Sequence, residues 1–289
     1  GAIIAVIGLE LAPVAANMAG LTGDKIDMVN VAISMFTLAV GVIGSVAFRG
    51  FMSIIPILFG VVCGYVFAAI MGIVNFQPVI DAPWFQVPHF YAPVFDINAI
   101  MIIAPAALVV LAEHIGHLVV TGNIVDRDLI KDPGLSRSLF ADGLSNVISG
   151  FAGATPNTTY GENIGVMAIT KVYSTWVIGG AAVMAIILSF CGKLSELIHS
   201  IPVPVMGGIC ILLFGVIAAS GIRVLVERQV DYSKSSNLVM TSVIMIIGLS
   251  GAKLSFGAFS VQGMVLATVV AIIMSLAFKL FEYLHLLNE

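Results

Sequence analysis

Thr155 to Lys171, TPNTTYGENIGVMAITK, interrupt a chain that is otherwise almost continuously apolar. Pro156 and the pair Thr158–Thr159 favour extended backbone. Glu162 then places a carboxylate where an apolar helix begins. In lipid a break in the backbone ladder and a carboxylate are both costly unless they face a cavity or a partner. This stretch therefore reads as a binding site rather than a connecting loop.

The composition sets the class. Of 289 residues 60% are hydrophobic and only 10% charged, with a mean hydropathy of +1.11. A soluble domain carries roughly 25% charged residues, so the chain is an integral membrane protein. Its net charge of −4 argues against nucleic acid as a partner. Cys63, Cys191 and Cys210 fall in apolar stretches without paired spacing and read as small core residues, not as a disulfide framework or a metal site. The chain opens directly in an apolar stretch, Gly1 to Gly20, with no initiator methionine and no basic segment before it. That opening suggests a piece of a longer protein.

A bilayer core of about 30 Å takes about 20 apolar residues per helix. On that ruler the candidate helical segments are 1–20, 28–48, 51–75, 99–122, 138–153, 161–170, 172–192, 201–221, 236–252 and 258–280. Segments 138–153 and 161–170 are too short to span alone, and they flank the polar stretch. Short interrupted segments of this kind mark the discontinuous helices of secondary transporters. If the first segment runs outward and the helices alternate, Arg49, Arg127, Lys131, Arg137, Lys171, Arg223, Arg228, Lys234 and Lys279 lie on the cytoplasmic side. Only Lys25, Lys193 and Lys253 lie outside, which is the positive-inside bias. The outer loop 75–98 carries Trp84, Phe85, Phe90 and Tyr91 without Lys or Arg, as an interfacial loop should. The pairs Gly179–Gly180 and Gly207–Gly208 are expected to serve close helix packing.

Glu10, Glu113, His114, His117 and Glu162 fall well inside apolar segments. A charge at the bilayer centre costs about 2.5–3.5 kcal/mol even on lenient scales, so each asks for a role. Glu113 and His117 stand four apart and share a helix face, whereas His114 points elsewhere. A carboxylate beside an imidazole can hold or pass a proton; the bland alternative is an interhelical hydrogen bond. Glu162 opens a short helix whose free N–H groups can donate to a ligand carbonyl while the carboxylate accepts from a ligand N–H. The alternative there is a simple cap from Thr158 or Thr159. Glu10 has no partner nearby in sequence and is read as structural, pairing with a neighbouring helix or marking the bend before Pro13.

The run Glu162-Asn163-Ile164-Gly165, with Thr170-Lys171 after it, resembles the signature motif of the nucleobase–ascorbate transporter family. VIGLELA, AEHIGHLVV, GATPNTTYGENIGVMAITKVYSTWVIGGAA and GIRVL extend the resemblance over almost the whole chain, toward the uracil-transporting branch. The resemblance implies an all-α membrane fold of fourteen spans in two inverted repeats of seven, with a core and a gate domain and a short β-strand at the broken helix. The chain would then begin at the fifth span, with the first four absent. Residues 1–92 and 198–289 would belong to the gate and 93–197 to the core. Glu113, Tyr160, Gly161 and Glu162 would bind substrate, Glu113 and His117 would couple the proton, and Asn163 would support the motif. Phe214 would be the gate-side contact; similar permeases often carry tyrosine there, so loss of that hydroxyl bears on affinity.

The expected function is proton-coupled import of uracil across the bacterial inner membrane, with the proton as coupling ion, no other cofactor and no enzymatic activity. Lipid is the standing partner, and a homodimer through the gate is allowed. A transporter of another base, such as xanthine or thymine, is the near alternative; the acid at the head of the motif favours a pyrimidine. A membrane-embedded enzyme using Glu113 and His117 as acid and base is more distant, because no nucleophile elbow, zinc motif or two-carboxylate constellation accompanies the pair. An open channel fits a broken helix with a carboxylate less well than an occluded site does.

Overall fold

A computed structural model describes residues 1–286 apart from 24, 25, 105, 257 and 258, and for Phe51, Ile102, Glu162, Phe256, Phe259 and Ser260 the backbone alone. The first apolar segment forms α1 (Ala2–Glu10) and α2 (Ala12–Met18), broken just before Pro13, which cannot donate into a helix ladder. Then follow α3 (Met28–Ala47), capped by the Asp27 carboxylate on Val29 N–H at 3.0 Å, and α4 (Pro56–Ile70), which starts at a proline after a 3-10 turn. Short helices α5 (Gln77–Asp81) and α6 (Ile97–Ile103) precede α7 (Ala106–Val125). The polar stretch separates α8 (Leu135–Ala152) from α9 (Gly161–Thr170), as the sequence predicts. Helices α10 (Thr175–Ser189), α11 (Gly192–His199), α12 (Val203–Glu227), α13 (Ser235–Leu249) and α14 (Gly263–Tyr283) complete the described helices.

Among the described residues α3, α7, α12 and α14 are long and apolar enough to cross a membrane, and α10 with α11 adds a fifth if their 88° bend falls within one span. The chain is a predominantly helical, multi-pass membrane protein. Two features depart from expectation. Segment 172–192 does not run straight on but bends at Phe190–Cys191 into α11. Residues 154–160 are non-helical but form no strand among the described residues, because no neighbouring strand supplies a ladder. The described ladder lies elsewhere: β1 (Lys253–Phe256) pairs antiparallel with β2 (Phe259–Gln262), Lys253 opposite Gln262 and Leu254 opposite Val261.

The chain divides into two compact units. The first comprises Gly1–Pro13, Val94–Ile115 and Leu213–Glu289. Here Ala2 and Val6 of α1 pack with Ile244 of α13 and Ala267 and Ala271 of α14. Small residues set the approach: Gly248 lies against Val6, Gly8 against the Phe214 carbonyl, and Gly221 against Ala5. In lipid such close backbone contact, more than hydrophobic transfer, holds helices together. The Glu10 carboxylate accepts from Met264 N–H at 2.8 Å and so caps the start of α14. Gly263, at φ +52, leaves room for that carboxylate where a Cβ would collide with it. The acid is thus structural, as read from sequence, and its partner is a helix end.

The second unit comprises Val14–Pro93 and Gly116–Leu212. Helices α3 and α4 form its hairpin, with Phe36 and Phe67 rings 4.6 Å apart and Phe48 and Phe59 at 5.1 Å. Gly207 and Gly208 of α12 lie against Ala19 and the Ser34 carbonyl, and Ser34 Oγ donates to Ala19 O at 2.7 Å. This glycine pair packs as expected, whereas Gly179 and Gly180 face open space. The α10–α11 bend is fastened to α5 and the loop that follows it. Lys193 Nζ donates to Val79 O at 3.1 Å and Ile80 O at 2.9 Å and lies 5.6 Å above the Trp84 ring. Gln86 N–H donates to Phe190 O at 2.8 Å, and the Phe85 and Phe190 rings stack at 5.8 Å.

Candidate functional site

The site is built around the break between α8 and α9, within the second unit. Gly153, at φ +80, ends α8 in the left-handed region that glycine adopts at least cost. The chain then runs in non-helical backbone whose polar groups would be orphaned in an apolar surround. Asn146 of α8 satisfies two of them: Asn157 N–H donates to Asn146 Oδ1 at 2.8 Å, and Asn146 Nδ2 donates to Asn157 O at 2.9 Å. The Asn157 side chain is held in turn, accepting from Ser145 Oγ at 3.0 Å and donating to Ser149 Oγ at 3.1 Å. One carboxamide thus does for the segment what a strand neighbour does in a ladder.

The segment delivers Tyr160, in extended conformation at φ −104 and ψ 123, as the N-cap of α9. Tyr160 makes no side-chain capping bond. The other candidates for that role do not supply it among the described residues: Thr159 Oγ1 is paired with His117 Nδ1 at 2.8 Å, and the shielded Thr158 Oγ1 has no hydrogen-bond partner. Among the described side chains none of these three caps the first turn of α9, and free N–H groups at a positive helix end can receive a hydrogen-bond acceptor. His117 completes the wall. Its Nε2 lies 3.2 Å from where a Cβ on Gly161 would stand, so any larger residue there requires the imidazole to give by a few tenths of an ångström.

The structure brings His117, Thr159, Tyr160 and Gly161 together. Asn163 lies exposed in the first turn of α9. The side chain of Glu162 is outside the described residues; its backbone lies in the first turn of α9. Glu113 stands one turn before His117 on α7, and Phe214 sits half-buried in α12; both belong to the first unit. His114 is the buried ionisable side chain of α7, 3% exposed. Thr159 and Asn146 are the contributors that sequence reasoning missed. A threonine pair beside a motif and an asparagine in a weakly apolar helix carry no local sign of contacts made 42 and 11 residues away. A cavity of about 480 Å³ lined by Asn75, Glu196, His199 and Ser200, among others, includes none of these residues.

Comparison with known proteins accords with this architecture. A model described as a permease family (Xan_ur_permease) matches residues 1–256. The uracil permease of Escherichia coli (strain K12) is 64% identical over 288 residues, covering 99% of this chain and 67% of that protein. The uracil permease of Paenibacillus larvae is 60% identical over 295 residues, covering 100% of this chain and 70% of its own length. That of Bacillus subtilis (strain 168) is 46% identical over 289 residues, covering 96% and 66%. Helices long and apolar enough to cross a membrane, the break between α8 and α9, the family match over residues 1–256 and sequence identity along nearly the whole chain place this protein in the permease family.

Proposed function

We propose that this protein imports uracil across the bacterial inner membrane together with protons. The observation that carries the reading is the uncapped start of α9 beside the His117 ring, in a chain 64% identical to a uracil permease. Uracil alternates ring N–H and carbonyl groups along its edge. The Gly161 end of α9 donates to a ring carbonyl, and the carboxylates of Glu162 and Glu113 accept from ring N–H groups. Asn163 supports the motif, and Phe214 closes the site from the gate side without a hydroxyl. Protonation within the Glu113/His117 pair is linked to binding. Residues 93–197 act as the core that moves against a gate of 1–92 and 198–289, in the manner of inverted-repeat transporters. Dimerisation through the gate is compatible with this arrangement.

Labelled-uracil uptake into vesicles carrying the full-length protein tests the proposal, comparing wild type with Glu162→Gln, with and without an inward proton gradient, and with excess unlabelled xanthine. Gradient-dependent uptake that the mutation abolishes and xanthine leaves alone is expected. Uptake indifferent to the gradient removes proton coupling; competition by xanthine transfers the site to a wider or different base.

A further inference from the structure

We infer that Thr159 is a positioning residue, which fixes the His117 ring so that Nε2 is the nitrogen presented to the ligand-binding end of α9. The inference rests on the reading of that end as the nucleobase site. Three observations carry it. The Thr159 hydroxyl engages Nδ1 at 2.8 Å, across 42 residues of sequence. The opposite ring nitrogen, Nε2, lies over Gly161, 3.2 Å from the place of a Cβ. Thr159 is also set aside from the task its position suggests, because the N-cap of α9 is Tyr160 and it has no side-chain capping bond.

An imidazole has two inequivalent nitrogens, and the bond made by one determines what the other can do. With Nδ1 held by a hydroxyl, proton uptake and release occur at Nε2, where a bound base meets the helix end. With Nε2 as the titrating nitrogen, Nδ1 keeps its proton in both states, and the Thr159 hydroxyl accepts from it throughout. It therefore holds the ring through both states of a coupling cycle and, unlike a carboxylate, adds no charge beside the imidazole. Among the described residues, Glu113 stands one turn back from the ring on α7 and Tyr160 at the N-cap of α9; the side chain of Glu162 is outside the described residues. Thr159 is uncharged, so its removal changes the ring's orientation without changing the local charge.

The test is Thr159→Val beside Thr159→Ser, with nitrogen-15 spectra of the imidazole and the pH profile of uracil uptake as readouts. Thr158→Val serves as control in the spectra, since the Thr158 hydroxyl has no partner among the described residues. Valine at 159 is expected to shift the His117 ring signals, displace the pH profile and raise the uracil KM about fivefold or more, the scale of one lost hydrogen bond to a shielded partner. Serine restores all three. If the valine variant fails to fold, Thr159→Ala carries the same measurements. Ring signals and pH profile unchanged in the valine variant overturn the inference, as does a serine variant that behaves like valine. Wild-type protein that takes up no uracil defeats the functional reading instead, and the ring spectra then decide the role of Thr159 alone.

Discussion

The carboxamide of Asn146 brackets the main chain of Asn157, accepting from its N–H at 2.8 Å and donating to its carbonyl at 2.9 Å. A carboxamide is the one uncharged side-chain group that carries a donor and an acceptor side by side, so it can meet both polar groups of a single residue. Because α8 holds the segment at Asn157, the two residues that follow arrive at fixed positions. Thr159 reaches His117, and Tyr160 begins α9. The start of α9 is placed by side-chain bonds instead of by a sheet.

Replacing Asn146 by alanine leaves the Asn157 N–H and carbonyl without those partners. Both bonds lie in an exposed setting, so a loss of about 0.5–1.5 kcal/mol follows. Because the segment positions the site, uracil affinity should fall together with stability. Thermal unfolding in detergent and uptake KM, measured on Asn146→Ala, check this; Asn146→Asp, which keeps an acceptor but lacks the amide donor, should fall between.

Gly161→Ala separates site from fold. The position begins α9 in ordinary helical backbone, so alanine is acceptable to the helix and even favoured by about 1 kcal/mol. Its methyl, however, would stand 3.2 Å from His117 Nε2 and cover the helix end offered to ligand. The variant should unfold at or above the wild-type temperature while uracil binding weakens by at least tenfold. Calorimetric binding on protein whose unfolding temperature is preserved tests the claim.

Glu10 gives the opposite outcome. Its carboxylate accepts from Met264 N–H at 2.8 Å and fills the space above Gly263. Glu10→Ala removes a helix cap at a cost of about 0.5–2 kcal/mol, and Glu10→Gln, which keeps an acceptor oxygen, should cost less. Neither should alter the pH dependence of uptake, because this acid caps a helix rather than moving a proton. A displaced pH profile in Glu10→Gln would assign it to coupling.

The reading from sequence went furthest where a single physical rule governed. Apolar length located the helices, and the proline-threonine-rich stretch located the break between α8 and α9. The bend between α10 and α11 was hidden, since it depends on Lys193 reaching Val79 and Ile80 from far along the chain. The hairpin of β1 and β2 was absorbed into an apolar segment because Phe256, Phe259 and Val261 are as apolar as a span. At the site, Gly161 and Tyr160 were visible as the start of a helix. The pairing of Thr159 with His117 was not, for threonine beside a helix start reads equally as its cap.

Two glycine pairs look alike in sequence and differ in consequence. Gly208 lies so close to the Ser34 carbonyl that a methyl must displace backbone, and Gly207 is pressed in the same way against Ala19. No rotamer change relieves either contact, so Gly208→Ala should destabilise the protein by about 1–3 kcal/mol through overpacking. Gly180 faces open space in the middle of α10, where alanine relieves the entropic cost of glycine and should be neutral or stabilising by up to about 1 kcal/mol. Thermal unfolding of the two variants side by side decides the matter. Equal destabilisation would mean that Gly180 packs against a partner in the membrane, and equal tolerance would mean that α12 can move away from α3.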